Sequence, residues 1–238
     1  MHLFAADLHN HTPASADHLR PETSAREIVE AALDAGLHVY AVTDHFSCAF
    51  AGALLSAADH VAAETGRHLL IVPGAELRVT FQEHEAHLTA LFDPVSYQRL
   101  FPELMGLIGR KPPYAAREEL PFLTVEHDPV EVARIIHALG GIACVSHADR
   151  PFGGYRLIDT PLFTRLAAEP SVFAIDLLDP QREGYRLPGV SASLIRCSDS
   201  HSCERIGARR TIVAMEALTF ASLKRALANG TVVPETLV

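Results

Sequence analysis

Residues 24–45 read SAREIVEAALDAGLHVYAVTDH, and this stretch contains the unit from which the rest of the chain is built. Ser24 with Glu27 three places on is the signature of a capping box, and Ile28, Val29, Ala32 and Leu33 then repeat at helical spacing until Gly36. Residues 37–43 follow as an apolar run, the pattern of a buried strand, and the run ends in Asp44-His45. Helix, strand, then a polar pair at the strand's end is an order that recurs along the sequence. An Ala-rich helix over 51–65 is closed by Gly66, and a strand over 69–72 leads into Pro73-Gly74-Ala75-Glu76, read as a turn. A further strand covers 87–92, and Asp128-Pro129-Val130-Glu131 opens a helix with Asp as N-cap and Pro at its first position. Gly140-Gly141 ends that helix, and residues 142–146 deliver His147. Strands near 172–178 and 193–197, the latter leading to Asp199 and His201, precede a strand over 211–215, a helix between Thr219 and Gly230, and a short tail.

The alternation lapses around 93–127, where Lys111-Pro112-Pro113 and Arg117-Glu118-Glu119 suggest an irregular insertion of helix and loop. No repeat, low-complexity tract or linker interrupts the remainder. The expectation is one α/β domain over 1–238, a closed barrel of parallel strands with functional residues at the C-terminal strand ends.

With 238 residues, 48% of them hydrophobic, the chain can bury a substantial core. Its formal charge of -9 argues against a basic nucleic-acid groove, so the expected partner is a small phosphorylated molecule, with no long nucleic acid. Cys48, Cys144, Cys197 and Cys203 form no CxxC pair, and Cys144 and Cys197 sit in apolar runs where a free thiol packs as a small hydrophobe. That usage fits a reducing cytoplasm. The N-terminal MHLFAADLHNH has neither the basic nor the apolar region of a signal peptide, and no membrane span is expected.

The chemistry lies in short clusters at the strand ends: Asp7-Leu8-His9-Asn10-His11, Thr43-Asp44-His45, Gly74-Ala75-Glu76, His87, Ser146-His147 and Asp199-Ser200-His201. A lone HxH is ordinarily a partly exposed strand, and a lone Asp-His pair a cap. Six such clusters converging on one rim make a multinuclear metal site of imidazoles and carboxylates. His9 and His11 project from one strand face and can grip one ion, with Asp7 orienting an imidazole from behind. Glu76 can bridge two cations. Such ions need no serine or cysteine nucleophile beside them, because a metal lowers the pKa of its water to about 7. Their charge also lets an acidic protein hold a phosphate ester. Arg150, three residues past His147, is placed either to clamp a phosphate oxygen or to form a salt bridge with a neighbouring loop. Phe152-Gly153-Gly154-Tyr155-Arg156 is a candidate substrate loop.

Taken together, HxH, TDH, GAE, a strand histidine, GGI-strand-SHxxRP and SDSH followed by Ile206-Gly207 resemble the PHP (polymerase and histidinol phosphatase) family over residues 7–207. The resemblance implies a distorted (β/α)7 TIM-like barrel with two or three divalent ions, zinc, manganese or iron, at the C-terminal mouth. Carried over by position, it implies His9, His11, His45, His87, His147, Asp199 and His201 as ligands, with Glu76 bridging. The remaining ligand falls on Asp17, with His18 as the alternative, and His84 competes with His87. Ala148 stands where the family commonly has Pro. His2, His38, His60, His68, His127 and His137 fall away from the mouth. The implied activity is that of a metal-dependent phosphoesterase of a small phosphorylated metabolite or nucleotide, with Glu76, Asp199 and Arg150 at the reaction centre. An exonuclease-like phosphodiesterase and a non-catalytic metal-stabilised binding module are the alternatives.

Overall fold

The computed structural model describes residues 1–110, 117–152, 155–178 and 192–236. Lys111-Pro112-Pro113 of the insertion and Gly153-Gly154 of the candidate substrate loop lie outside the described residues. In chain order the elements begin with β1 (His2–Asp7), α1 (Ala25–Asp34), β2 (Val39–Val42), α2 (Ala51–Thr65), β3 (Leu70–Phe81) and β4 (His84–Leu91). Next come α3 (Tyr97–Leu107), a 3-10 turn (Arg117–Phe122), β5 (Val125–Glu126), α4 (Pro129–Ala138) and β6 (Ile142–Val145). The short pair β7 (Pro151–Phe152) and β8 (Tyr155–Arg156) precedes α5 (Pro161–Ala167), β9 (Val172–Asp176) and β10 (Ser193–Ile195). The last elements are β11 (Arg209–Met215), α6 (Phe220–Ala228) and β12 (Val232–Thr236).

Helix α1 starts as its sequence requires. The Ser24 side chain accepts from Glu27 N while the Glu27 carboxylate accepts from Ser24 N at 2.7 Å. Strands β1, β2 and β3 are parallel neighbours, and so are β6, β9 and β10. Between these groups β4 runs antiparallel to both β3 and β6, and β11 lies antiparallel to β1. The seam between β10 and β11 is joined by side chains. Arg196 N donates to Thr211 Oγ1 at 2.8 Å, and Arg209 N to Ser198 Oγ at 3.2 Å. Eight strands therefore make a nearly closed α/β barrel of TIM-like form.

Two features depart from a regular (β/α)7 pattern. Strand β4 enters as the second arm of a hairpin, turned at Gln82 with φ 55°, instead of following a helix. The other is β3, which does not stop at Pro73-Gly74 but runs on to Phe81, so Glu76 sits in mid-strand, opposite Thr89. Gly74 is there for room. A Cβ at this position would lie 2.6 Å from Ala90 O and 2.8 Å from Leu91 Cδ2. Because one of those neighbours is backbone, Gly74→Ala is expected to lower unfolding stability by about 1–3 kcal/mol, the usual cost of overpacking, as measured by urea denaturation.

The sheet buries both faces. On β2, Tyr40 and Val42 join the outer core with Ile28, Val29, Leu54 and Ile71, while Val39 and Ala41 join the inner one with Ala6, Val72, Ile142 and Ala174. Phe220, Leu223 and Leu227 of α6 belong to the inner cluster and close the barrel at the end away from the mouth. Among the described residues no helix is long and apolar enough to cross a membrane.

Candidate metal centre

The mouth of the barrel brings all nine expected residues together, from strand ends, from within β3 and β4, and from the loop after β1. Two groups of four have ligand atoms within 4.8 Å of one another: His9, Glu76, His147 and Asp199, and His11, Asp17, His45 and His201. The Glu76 carboxylate stands between them. Its Oε2 lies 3.3 Å from His9 Nε2, His11 Nε2 and His45 Nδ1, and its Oε1 lies 3.1 Å from His147 Nε2 and 2.7 Å from His87 Nδ1. Asp199 Oδ1 is 3.6 Å from His9 Nε2 and 3.3 Å from His11 Nε2. Asp17 Oδ2 sits 3.3 Å from His45 Nε2 and 3.1 Å from His201 Nε2.

The 3.3 Å separations of Glu76 Oε2 from His9, His11 and His45 suit an ion better than they suit hydrogen bonds. Two ligands at about 2.1 Å from a tetrahedral ion stand about 3.4 Å apart. His9 Nε2, His11 Nε2 and His45 Nδ1 are buried, yet none has a hydrogen-bond partner of acceptable geometry. Three unsatisfied imidazole nitrogens aimed at one carboxylate oxygen would be costly in a barrel that held nothing there. The donor set therefore fits divalent cations.

The neighbouring groups fix the imidazoles. The Ser15 hydroxyl donates to Asp44 Oδ1 at 2.9 Å, so His11 Nδ1, 3.1 Å from Ser15 Oγ, must be the N–H donor there. That leaves the His11 Nε2 lone pair facing the centre. Asp7 was expected to orient an imidazole, but its carboxylate accepts instead from Ser198 N at 3.0 Å and Gly207 N at 3.1 Å, tying the first strand to the exit of β10. Asp176 does similar work, accepting from His147 N at 3.1 Å and Cys197 N at 2.9 Å. These contacts hold His147 at φ 31° and Asp199 at φ 50°, left-handed conformations of the kind that collect at functional sites.

Electrostatics divides the site. Burial alone would raise the Glu76 carboxyl, but the facing imidazoles of His9, His87, His11 and His147 hold it well below the carboxylate range. Asp199 is lowered in the same way, against its burial, by His9, His11 and His147. Burial pulls His147 down to about 4, which keeps that ring neutral and its lone pair available. Burial pushes Asp176 up to about 7 and Asp7 up to about 6, against the backbone amides that face both carboxylates and pull the other way.

His87 stands apart from both groups of four. It meets His147 on Glu76 Oε1, and its other nitrogen lies 2.9 Å from Glu85 Oε1. Of the alternatives, Asp17 reaches the centre, whereas His18 points its Nδ1 to Arg20 O at 2.9 Å. His84 is in neither group. Residues away from the mouth have ordinary partners: His38 Nδ1 accepts from Ala5 N, and His137 stacks on Phe173. Arg150 lies at the solvent edge with its Nη1 2.7 Å from Asp199 Oδ2. A cavity of about 290 Å³ opens over the centre, walled also by Arg78, Arg150, Pro121 and Phe122. Sequence reasoning did not mark Ser15, Asp176, Arg78 or Phe122. Asp44 was visible inside TDH, but its hydrogen bonds to residues 12 and 15 were not.

No family model matches the sequence. The chain is 34% identical over 85 residues to the 5'-3' exoribonuclease Rnm of Salmonella typhimurium, a stretch that covers 36% of this chain and 26% of that protein. It thus spans about a quarter of the length of this curated relative. Among solved structures it superposes on a two-domain protein from Bacteroides vulgatus containing a predicted PHP-like metal-dependent phosphoesterase. The TM-score is 0.65 with 17% identity, over 99% of this chain and 65% of that one. It also superposes on endonuclease Q in complex with a 27-mer duplex bearing an abasic lesion at the active site (TM-score 0.64, 17% identity, 95% of this chain and 56% of that one). These likenesses overturn the expectation of a small phosphorylated partner with no long nucleic acid. Net charge averages over a whole surface and does not report the local charge at the mouth, where guanidinium groups and cation ligands are gathered. The chain has the fold of the PHP-like metal-dependent phosphoesterases.

Proposed function

We propose that this chain is a metal-dependent phosphodiesterase that hydrolyses the backbone of nucleic acid. The observation that carries the reading is the Glu76 carboxylate, shared at 3.3 Å or less by five imidazoles from four different strands beneath a mouth edged by Arg78 and Arg150. In this reading His9, Glu76, His147 and Asp199 hold one divalent ion and His11, Asp17, His45 and His201 a second, while His87 completes the ring around Glu76. Imidazole and carboxylate donors suit zinc, manganese or iron. Bound there, the ions supply Lewis acidity toward phosphoryl oxygens and an activated water. The chain's own groups bind and orient. Arg150 is paired to Asp199 and walls the cavity, so that its guanidinium is held where a phosphate oxygen would enter. The likeness to an exoribonuclease and to an endonuclease supports a phosphodiester in a strand as the substrate. The free cysteines suit the reducing cytoplasm.

The test is hydrolysis of single-stranded RNA and DNA by protein loaded separately with manganese, zinc and iron. Strand cleavage is the expected result, and a fully loaded protein inert on both nucleic acids would overturn the reading. Arg150→Ala should lower kcat/KM by about 10- to 100-fold, the worth of a hydrogen bond to a charged group, with metal content and Tm unchanged. Arg150→Lys should recover little, since Lys lacks the planar fork. A lowered Tm with normal turnover per folded molecule would reduce Arg150 to a brace for Asp199.

A further inference from the structure

At the mouth, one residue breaks the rule that large apolar side chains are covered. Phe122 is 78% exposed and is the one aromatic among the exposed large hydrophobic side chains of the described residues. It also forms part of the wall of the metal cavity, together with Arg78 and Arg150.

Its support is firm. Phe122 ends the 3-10 turn Arg117–Phe122, in which Leu120 and Pro121 are buried. Arg117 donates from Nε to Pro13 O at 2.9 Å and from Nη2 to Ser15 O at 3.1 Å, fastening the turn to the loop behind His11. Arg78 Nη1 donates to Pro121 O at 2.7 Å, and its guanidinium is held by both Glu85 oxygens at 3.0 Å. The backbone beside Phe122 is therefore fixed from two sides while the ring is left in water.

We infer that Phe122 is a stacking platform for an unpaired nucleobase adjacent to the phosphodiester at the metal centre. This rests on the phosphodiesterase reading and narrows its substrate to a single-stranded segment or a frayed strand end. Three features of the chemistry select this occupant. A flat π-face gains from another flat π-face, which a sugar or a simple phosphate does not have. Inside a duplex both faces of a base are covered by its neighbours, so an unpaired base offers a face that an internal paired base does not. The pairing of an aromatic ring with guanidinium groups, one for the base and the others for the backbone, is the arrangement that binds single strands without reading their sequence.

The test compares wild type, Phe122→Ala, Phe122→Leu and Phe122→Trp on a short single-stranded oligouridylate and on the same strand carrying base-free sugars around the scissile bond. Phe122→Ala and Phe122→Leu should lower kcat/KM on the complete strand by about tenfold, the loss of a single base–aromatic stack. On the base-free strand the same variants should change little, and Phe122→Trp should retain wild-type rates on both. The affinity of the metal-free protein for the complete strand, read by fluorescence anisotropy, should fall by the same factor, with Tm unchanged. An equal loss on both strands, or no loss on either, would overturn the platform while leaving the phosphodiesterase reading intact. A shift from dimer to monomer in Phe122→Ala with unchanged kinetics would overturn it too, by assigning the ring to a contact between copies. A wild-type protein, loaded with each of the three metals, that cleaves neither strand and no single-stranded DNA would remove both readings together.

Discussion

Glu76→Gln is expected to abolish hydrolysis, with a fall well beyond the 10- to 100-fold typical of residues that merely support a ligand. Five imidazoles face this one carboxylate, three on Oε2 and two on Oε1. An amide keeps the volume but replaces one acceptor oxygen with an NH₂ group and removes the negative charge. It therefore cannot serve two cations, and it leaves His9 and His87 without the charge they face. The barrel should still fold, because Glu76 is held in β3 by main-chain bonds to β4 that do not involve the side chain. The measurements are metal content by elemental analysis, circular dichroism and turnover. Full metal occupancy with normal turnover would show that Glu76 lies outside the reaction centre.

Removal of the ions should have the next largest effect. Exhaustive dialysis against a chelator is expected to eliminate activity and to lower the melting temperature. A ligand present at a hundred times its Kd stabilises by about 2.7 kcal/mol, and for a chain of this size that corresponds to about 5–10 °C per site. The ion-free centre leaves buried ring nitrogens of His9, His11 and His45 unsatisfied, so the shift should reach at least this value. Re-addition of manganese, zinc or iron in separate aliquots should restore both properties, and the metal that restores turnover identifies the working ion. A chelated protein shown to be metal-free, yet with unchanged Tm and rate, would overturn the metal centre.

Much of this architecture was legible in the residues. The helix from Ser24 to Gly36, the Ala-rich helix closed by Gly66 at φ 71° and the helix opened by Asp128-Pro129 carry local signals that tertiary packing had no cause to override. The ligand motifs were equally local, since a histidine at a strand end declares itself wherever the strand goes. The direction of pairing was less visible. Nothing in residues 88–91 distinguishes a hairpin arm from a parallel barrel strand, because Leu88, Ala90 and Leu91 would be buried in either. Pro73-Gly74 read as a turn because that dipeptide usually is one, whereas here the glycine clears space for Ala90 and Leu91. The short α5 and the terminal β12 escaped for want of length. Asp176 was hidden for another reason: its partners, His147 N and Cys197 N, are 29 and 21 residues distant. The inference from net charge failed because a sum over the sequence has no location.

Asp7 accepts from amides 191 and 200 residues further along, and Asp199 N donates to His9 O beside it. The two ends of the ligand set are thus stitched directly to each other. During synthesis, a ribosome that has delivered every ligand up to His147 has produced no finished centre, because neither Asp199 nor His201 has yet emerged. A chain interrupted anywhere before that point can bind a stray cation but cannot align a pair of them on Glu76. Abandoned or clipped translation products would therefore lack a complete centre, and competence would arrive only with the closing strand.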